Sequence, residues 1–151
     1  MYFAFNWLGM LLLLLPLLLN VPYLRLAKDW EEPEAVSETR ETLEGIFRVL
    51  MMLAMVLIAN TTRGSSLLLI PTLLSLVLYA WCWRRIWKNP EEKELYVPLI
   101  FIPYPLAVFP VLYFVLCGFY LGNYPLIVLA FLFGGVHITN THTKAKKYKK
   151  G

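Results

Sequence analysis

The chain has 151 residues, of which 59% are hydrophobic and only 16% are charged, and this composition is too apolar for an ordinary soluble domain. The net charge of +4 does not indicate nucleic-acid binding, because the Lys and Arg residues flank long uncharged runs and act there as topology signals. The composition therefore predicts one membrane domain without a nucleic-acid partner.

The uncharged runs divide the chain into five predicted membrane spans. A helix needs about 20 apolar residues to cross a hydrocarbon core of about 30 Å, and the runs are close to this length. The spans lie at about 3–24, 46–62, 67–86, 96–118 and 124–139, and a basic tail covers 140–151. The sequence therefore predicts an all-α integral membrane protein, a single bundle of five transmembrane helices.

The first span is interpreted as a retained helix and not as a secretory signal. It has no Lys or Arg before Arg25, and no small-residue cleavage site follows its leucines. Pro16 lies inside this span and leaves the carbonyl of Leu12 without its intrahelical donor. Membranes tolerate such a defect when other helices cover it, so we expect a neighbouring helix at this point.

The second span is preceded by a charged helical turn. Ser37 can cap a helix whose first turn carries acidic residues, so this helix is predicted to begin outside the membrane. Glu44 precedes Arg48 by four residues, the favourable orientation for a helical ion pair. Arg48 would then lie at the edge of the bilayer, either as an anchor that extends to the interface or as part of a functional site.

Aromatic and basic residues together mark the inner end of the third span. All five tryptophans are predicted at interfaces, Trp7 on the outer side and Trp30, Trp81, Trp83 and Trp87 on the inner side. Cys82 and Cys117 lie in apolar runs without metal or CxxC spacing. We expect two free thiols near opposite ends of the bundle, and neither a metal nor a cofactor is implied.

The fourth span contains the segment Ile102-Pro-Tyr-Pro105. Pro103 and Pro105 lack amide donors and would strand the carbonyls of Leu99 and Phe101 inside the membrane. Broken helices at membrane depth bind substrates in many transporters, which makes Pro103, Tyr104 and Pro105 candidate site residues. The alternative interpretation is a plain kink.

The distribution of positive charge predicts the direction of threading. With the N-terminus outside and five spans, Arg63 is the single Lys or Arg residue on the outer side, and the other 13 of the 14 lie inside. This asymmetry is what the positive-inside rule requires. The sequence therefore predicts an outer N-terminus and an inner C-terminus.

This threading collects polar residues from three helices in the cytoplasmic half of the bundle. They are Asn20 and Tyr23 from the first, Glu44 and Arg48 from the second, and His137 and Asn140 from the fifth. A histidine, a carboxylate and an arginine together could bind an anionic head group or move a proton. Each of these residues also has a structural interpretation, as an interfacial or backbone-bonding side chain.

Four short motifs carry a resemblance to a known group of proteins. They are Phe5-Asn-Trp-Leu-Gly9, Leu19-Asn-Val-Pro-Tyr23, Glu41-x-x-Glu44-x-x-x-Arg48 and Gly135-Val-His-Ile138. Together they resemble a group of small, uncharacterised multi-span bacterial membrane proteins, from which the proline-rich fourth span departs. The resemblance implies a location in the bacterial inner membrane and supplies no mechanism.

Three functional hypotheses follow from these features. The first is a non-enzymatic accessory protein or lipid- and amphiphile-binding bundle, in which Arg48 contacts an anion. The second is a small carrier or half-transporter with its substrate site at the Pro103–Pro105 break. The third is a lipid-modifying enzyme that uses His137 as acid or base. The expected partners are membrane lipids, an amphiphilic small molecule, and a second copy or another membrane protein.

The predicted threading can be checked by cysteine labelling of intact cells. We expect Ser65→Cys, in the short turn between the second and third spans, to react with an impermeant maleimide from outside. Lys146→Cys should react only after the cells are permeabilised, because the lysine-rich tail is held inside. Labelling of position 146 in intact cells would contradict the predicted topology.

Overall fold

The computed structural model describes residues 1–26 and 36–148, which form a bundle of five α-helices and thereby confirm the predicted all-helical class. The helices are α1 Trp7–Leu26, α2 Glu38–Leu57, α3 Leu69–Lys88, α4 Pro105–Leu121 and α5 Tyr124–Tyr148. Two stretches, Ser66–Lys88 and Tyr124–Tyr148, are long and apolar enough to cross a membrane, whereas Trp7–Val21 and Pro105–Leu121 are shorter apolar helices. Trp30, Lys149 and Lys150 lie outside the described residues.

The helices pack in the spatial order α3, α4, α5 and α2, and α1 contacts α2, α3 and α4. The main core lies between α1, α2, α4 and α5, and contains Met51, Met55, Tyr113 and Leu126 among its buried residues. A second cluster, around Tyr79, Trp83, Ile86 and Phe109, joins α3 to α4. The free cysteines belong to different clusters, Cys117 to the first and Cys82 to the second.

Three asparagines join the helix ends at one pole of the bundle. Strand β1, Tyr2–Phe3, pairs antiparallel with strand β2, Ile58–Ala59, directly after α2. Asn6 accepts a hydrogen bond from the amide of Gly9 and donates to the carbonyl of Ile58, and Asn60 donates to the carbonyl of Gly122.

Asn123 makes the most extensive of these connections and is buried. Its Oδ1 accepts from the amide of Leu126 at 3.0 Å, which caps the start of α5. Its Nδ2 donates to the carbonyls of Ala54 and Ile58 at 2.8 and 3.3 Å, so one side chain satisfies the end of α2 and the start of α5. We name this pole, built on Asn6, Asn60 and Asn123, the asparagine pole.

The carbonyl that Pro16 leaves without a donor is satisfied by another helix. The hydroxyl of Tyr113 on α4 donates to the carbonyl of Leu12 at 2.7 Å, and both residues are buried. The prediction that a neighbouring helix covers this defect is confirmed. The bond is a direct tie between α1 and α4 at mid-bundle.

Neither the helix break nor the plain kink considered for Pro103–Pro105 occurs, because the fourth helix begins at Pro105 and not near residue 96. Pro98 and Pro103 disfavour helical backbone at the residues before them, and Pro105 takes the first helical position, where its missing amide costs nothing. The carbonyl of Leu99, predicted to be stranded, accepts from the amide of Ile102 at 2.9 Å. Residues 97–104 are a loop at the end of the bundle.

One further helix boundary differs from the sequence prediction. The fifth helix continues to Tyr148 and does not end near 139, since Lys144 lies 3.3 Å from a carboxylate oxygen of Glu41 and Ala145 is buried. Trp83 is buried against Tyr79, whereas Trp7, Trp81 and Trp87 are exposed, and the interfacial location of all four stays a prediction.

Replacing the Tyr113 hydroxyl tests the tie between α1 and α4. We expect Tyr113→Phe to lower the free energy of unfolding in detergent by about 1–3 kcal/mol, because it leaves the buried Leu12 carbonyl without a donor. In a Pro16→Ala background the amide of residue 16 can reach this carbonyl, so the same substitution should cost less there. Tyr124→Phe, at an exposed tyrosine, is the matched control. Equal costs in the two backgrounds would contradict this account.

Candidate functional site

The candidate site lies between α2 and α5, at the pole opposite to the asparagine pole. A side chain at Gly134 would clash with Val111 on α4, so glycine allows α5 to approach that helix closely. His137 and Asn140 are spaced i, i+3 on α5 and therefore share one face of this helix. Both side chains contact Glu44 on α2.

Glu44 is the centre of the site and receives hydrogen bonds from three side chains. His137 Nδ1 lies 2.9 Å from Oε1, Asn140 Nδ2 lies 2.8 Å from Oε2, and the Arg48 guanidinium also donates to Oε1. Because a carboxylate can only accept, Nδ1 of His137 carries the proton in this contact. The structure therefore brings together four of the predicted site residues, two from each helix.

The surroundings of Glu44 favour its ionised form. The residue lies just before the predicted second span, and burial alone raises the pKa of its carboxyl group. The hydrogen bond and charge of His137, the hydrogen bond from Asn140 and the charge of Arg48 outweigh burial and lower this pKa from 4.5 to about 2. Glu44 thus stays a carboxylate at neutral pH and holds its three donors in place.

Phe133 provides the apolar support of the site. The His137 ring stacks on it with centroids 4.9 Å apart and planes 14° apart, and the Arg48 guanidinium lies 5.7 Å from the same ring centroid. Phe133 is buried, whereas the side chain of Arg48 is 46% exposed. Arg48 is therefore held by a carboxylate and a ring while much of its guanidinium faces outward.

Asn140 closes the inner side of the site. It is buried, its Nδ2 donates to Glu44 and at 3.4 Å to the carbonyl of Arg40, and its Oδ1 has no hydrogen-bond partner among the described residues. An unpaired buried oxygen carries a desolvation cost, so a donor that reached it would be held strongly.

Asn20 and Tyr23, predicted in the same layer, contact α3. The hydroxyl of Tyr79 donates to Asn20 Oδ1, and the Tyr23 ring meets Trp83 edge-on with centroids 5.8 Å apart. These contacts join α1 to α3 through side chains.

The Pro103-Tyr104-Pro105 segment forms a separate small site at the start of α4. The Tyr104 hydroxyl lies 2.9 Å from Nδ1 of His142 on α5, and their rings meet edge-on. Without a helix break inside the bundle, these residues do not form the membrane-depth substrate site that the carrier hypothesis requires.

Three side chains that matter here were not identified from the sequence: Phe133, Tyr79 and His142. Phe133 precedes His137 by four residues, so helical spacing alone could have found their contact. Tyr79 and His142 pair with residues 59 and 38 positions away, and no local signal indicates such partners.

Comparison with known proteins gives no match: no family model, no curated protein and no solved structure is similar to this chain. The functional argument therefore depends on the geometry of the chain itself.

The pKa of Glu44 predicts a specific dependence of stability on pH. A carboxyl group whose pKa falls on folding stabilises the protein fully above its unfolded pKa, here 4.5, and loses this contribution as the pH falls towards about 2. The contribution is roughly 3 kcal/mol, from about 1.4 kcal/mol per pKa unit.

We therefore expect the difference in unfolding free energy between the parent and Glu44→Gln to shrink between pH 4.5 and 2 in detergent. Glu41→Gln, at an exposed carboxylate on the same helix, serves as the control for general acid effects. A constant difference between the parent and Glu44→Gln across this range would contradict the assignment.

Proposed function

We propose that this protein is a membrane bundle that crosses the bacterial inner membrane five times and binds an anionic amphiphile, such as a phospholipid, through Arg48. The membrane setting is supported by the surface of the helices. Each helix exposes large apolar side chains, for example Leu11 and Leu18, Ile46 and Val49, Ile70 and Val77, Leu112 and Phe119, Val128 and Phe131. A soluble monomer rarely exposes so extended an apolar surface, whereas a lipid environment favours it.

The observation that carries the binding proposal is the position of Arg48. Among the described residues its guanidinium donates to Glu44 alone, and it has five N–H donors. The remaining donors can meet phosphate oxygens, for which the planar guanidinium is well suited. Glu44 and Phe133 fix its orientation, so little side-chain entropy is lost on binding.

Exposed apolar residues of α2 border the Arg48 site on one side only. Ile46, Val49, Leu50 and Leu53 are all exposed on this helix. At 3.6 residues per turn, Val49 lies nearest to Arg48 around the axis and the other three lie on roughly the opposite side, so the chains of an amphiphile bound at Arg48 would run past Val49. His137 supports the site from behind, through Glu44 and Phe133.

The contact between Glu44 and His137 supports a second candidate, a lipid-modifying enzyme. A carboxylate that orients an imidazole is a recurring arrangement for general acid and base chemistry. Such an enzyme would turn over its bound lipid, whereas a binding protein would release it unchanged. The products extracted from a lipid-loaded sample therefore distinguish these two functions.

Substitution of Arg48 tests the binding proposal. We expect Arg48→Lys to remain folded and to lose most of the phospholipid that native mass spectrometry detects on the parent, because lysine lacks the planar fork. Arg48→Ala should also lose about 1 kcal/mol of stability, a small value because the pair is half exposed. Arg84→Lys, at an exposed arginine near the same pole, should retain the lipid. Unchanged lipid in both Arg48 variants would leave Arg48 as an anchor only.

A further inference from the structure

Residues 97–104 present a second apolar feature, separate from the Arg48 site. Leu99 and Ile102 pair across a two-residue turn, with Ile100 and Phe101 at its tip. The tip side chains are 83% and 95% exposed, so both apolar groups project almost completely from the protein.

The turn is held firmly. The amide of Leu99 donates to the carbonyl of Ile102 at 3.0 Å, and the amide of Ile102 donates back at 2.9 Å. At its base, Arg85 Nη2 on α3 donates to the carbonyl of Val97 at 3.0 Å. These bonds fix the direction of the tip relative to the end of α3, so the turn is more than a loose surface loop.

The tip has an unfavourable backbone conformation for its residue. Ile100 has φ +53°, and among residues 1–26 and 36–148 it is the only residue other than glycine with positive φ. Turns of two residues with this conformation at the first position usually have glycine there, and a β-branched residue is a clear outlier. The exposed isoleucine therefore adds an apolar group at the tip at a cost in stability.

The packing of the turn defines its height along the bundle. Leu99 and Ile102 are half-buried against the cluster of Trp83 and Ile86, the last residues of the predicted third span. The tip consequently projects at the level where this span ends. The nearby part of α3 carries exposed Trp81, Trp87 and Arg84, the aromatic and basic residues typical of a membrane interface.

We propose that the Ile100–Phe101 turn is a rigid wedge that inserts into the inner leaflet, at the boundary between head groups and acyl chains. Lipid is the favoured occupant because the tip lies at the height of the interfacial aromatic residues and points away from the bundle. The wedge would fix the depth and tilt of α3 and α4 in the bilayer. This inference rests on the proposed membrane threading and is independent of ligand binding at Arg48.

Fluorescent labelling at chosen sites tests the wedge. Phe101→Cys, Lys93→Cys and Phe131→Cys are labelled separately with an environment-sensitive fluorophore, in nanodiscs of phosphatidylethanolamine and phosphatidylglycerol. Ile100→Cys, which retains Phe101, is a second variant for the tip. Lys93 is exposed on the short 3-10 helix Glu92–Tyr96 and reports water. Phe131 is exposed near the middle of the predicted fifth span, 124–139, and reports lipid. Each probe is quenched either by a lipid nitroxide near the head groups or by aqueous iodide.

We expect both tip probes to show blue-shifted emission and several-fold stronger quenching by the lipid nitroxide than the Lys93 probe. If the tip probes match the Lys93 probe while the Phe131 probe is in lipid, the wedge is overturned and the membrane threading stands. If the Phe131 probe is quenched mainly by iodide, the threading itself fails. If the tip is shielded in native membranes but not in nanodiscs, another protein covers it and the lipid assignment is overturned.

Discussion

The bundle depends on one constraint: a backbone polar group without an intrahelical partner must find one on another helix, because an apolar environment supplies none. Pro16 removes the donor for the Leu12 carbonyl, and Tyr113 replaces it. The carbonyls at the end of α2 receive donors from Asn6 and Asn123. Each unpaired carbonyl thus accepts a hydrogen bond that joins two helices. Because the helix surfaces are otherwise similar and apolar, these hydrogen bonds favour one packing arrangement over others.

At the opposite pole, partners on two helices compensate in the same way for the half-buried charge of Glu44. A half-buried carboxylate is costly by itself, but three donors from two helices compensate for this cost. Glu44 and Arg48 offset each other, so this pair carries no net charge of its own. The side chain of Arg48 nevertheless remains about half exposed, so its pairing with Glu44 leaves it accessible from outside the bundle.

Local spacing predicted what lies within one or two helical turns. The Glu44–Arg48 pair, the shared face of His137 and Asn140, and the uncovered Leu12 carbonyl can all be read from the sequence. The partners across helices could not be predicted, because Tyr113 reaches Leu12, and Phe133 reaches Arg48, only through the packing of helices that are distant in sequence. The start of α4 was misplaced, because composition shows an uncharged run and does not show where helical backbone begins. The competing effect is local, because the prolines at 98, 103 and 105 disfavour helical backbone in residues 97–104.

The position of α5 has a consequence for how the protein can move. Asn123 attaches its start to the end of α2, and His137 and Asn140 attach its far half to Glu44 on the same helix. Sliding by one helical turn, about 5.4 Å, would break both attachments at once. The α2 and α5 pair therefore forms a stiff frame. Of the remaining helices, α1 is tied to α4 through Tyr113 and Leu12, and α3 packs on α4 through the second cluster, so neither can shift without α4.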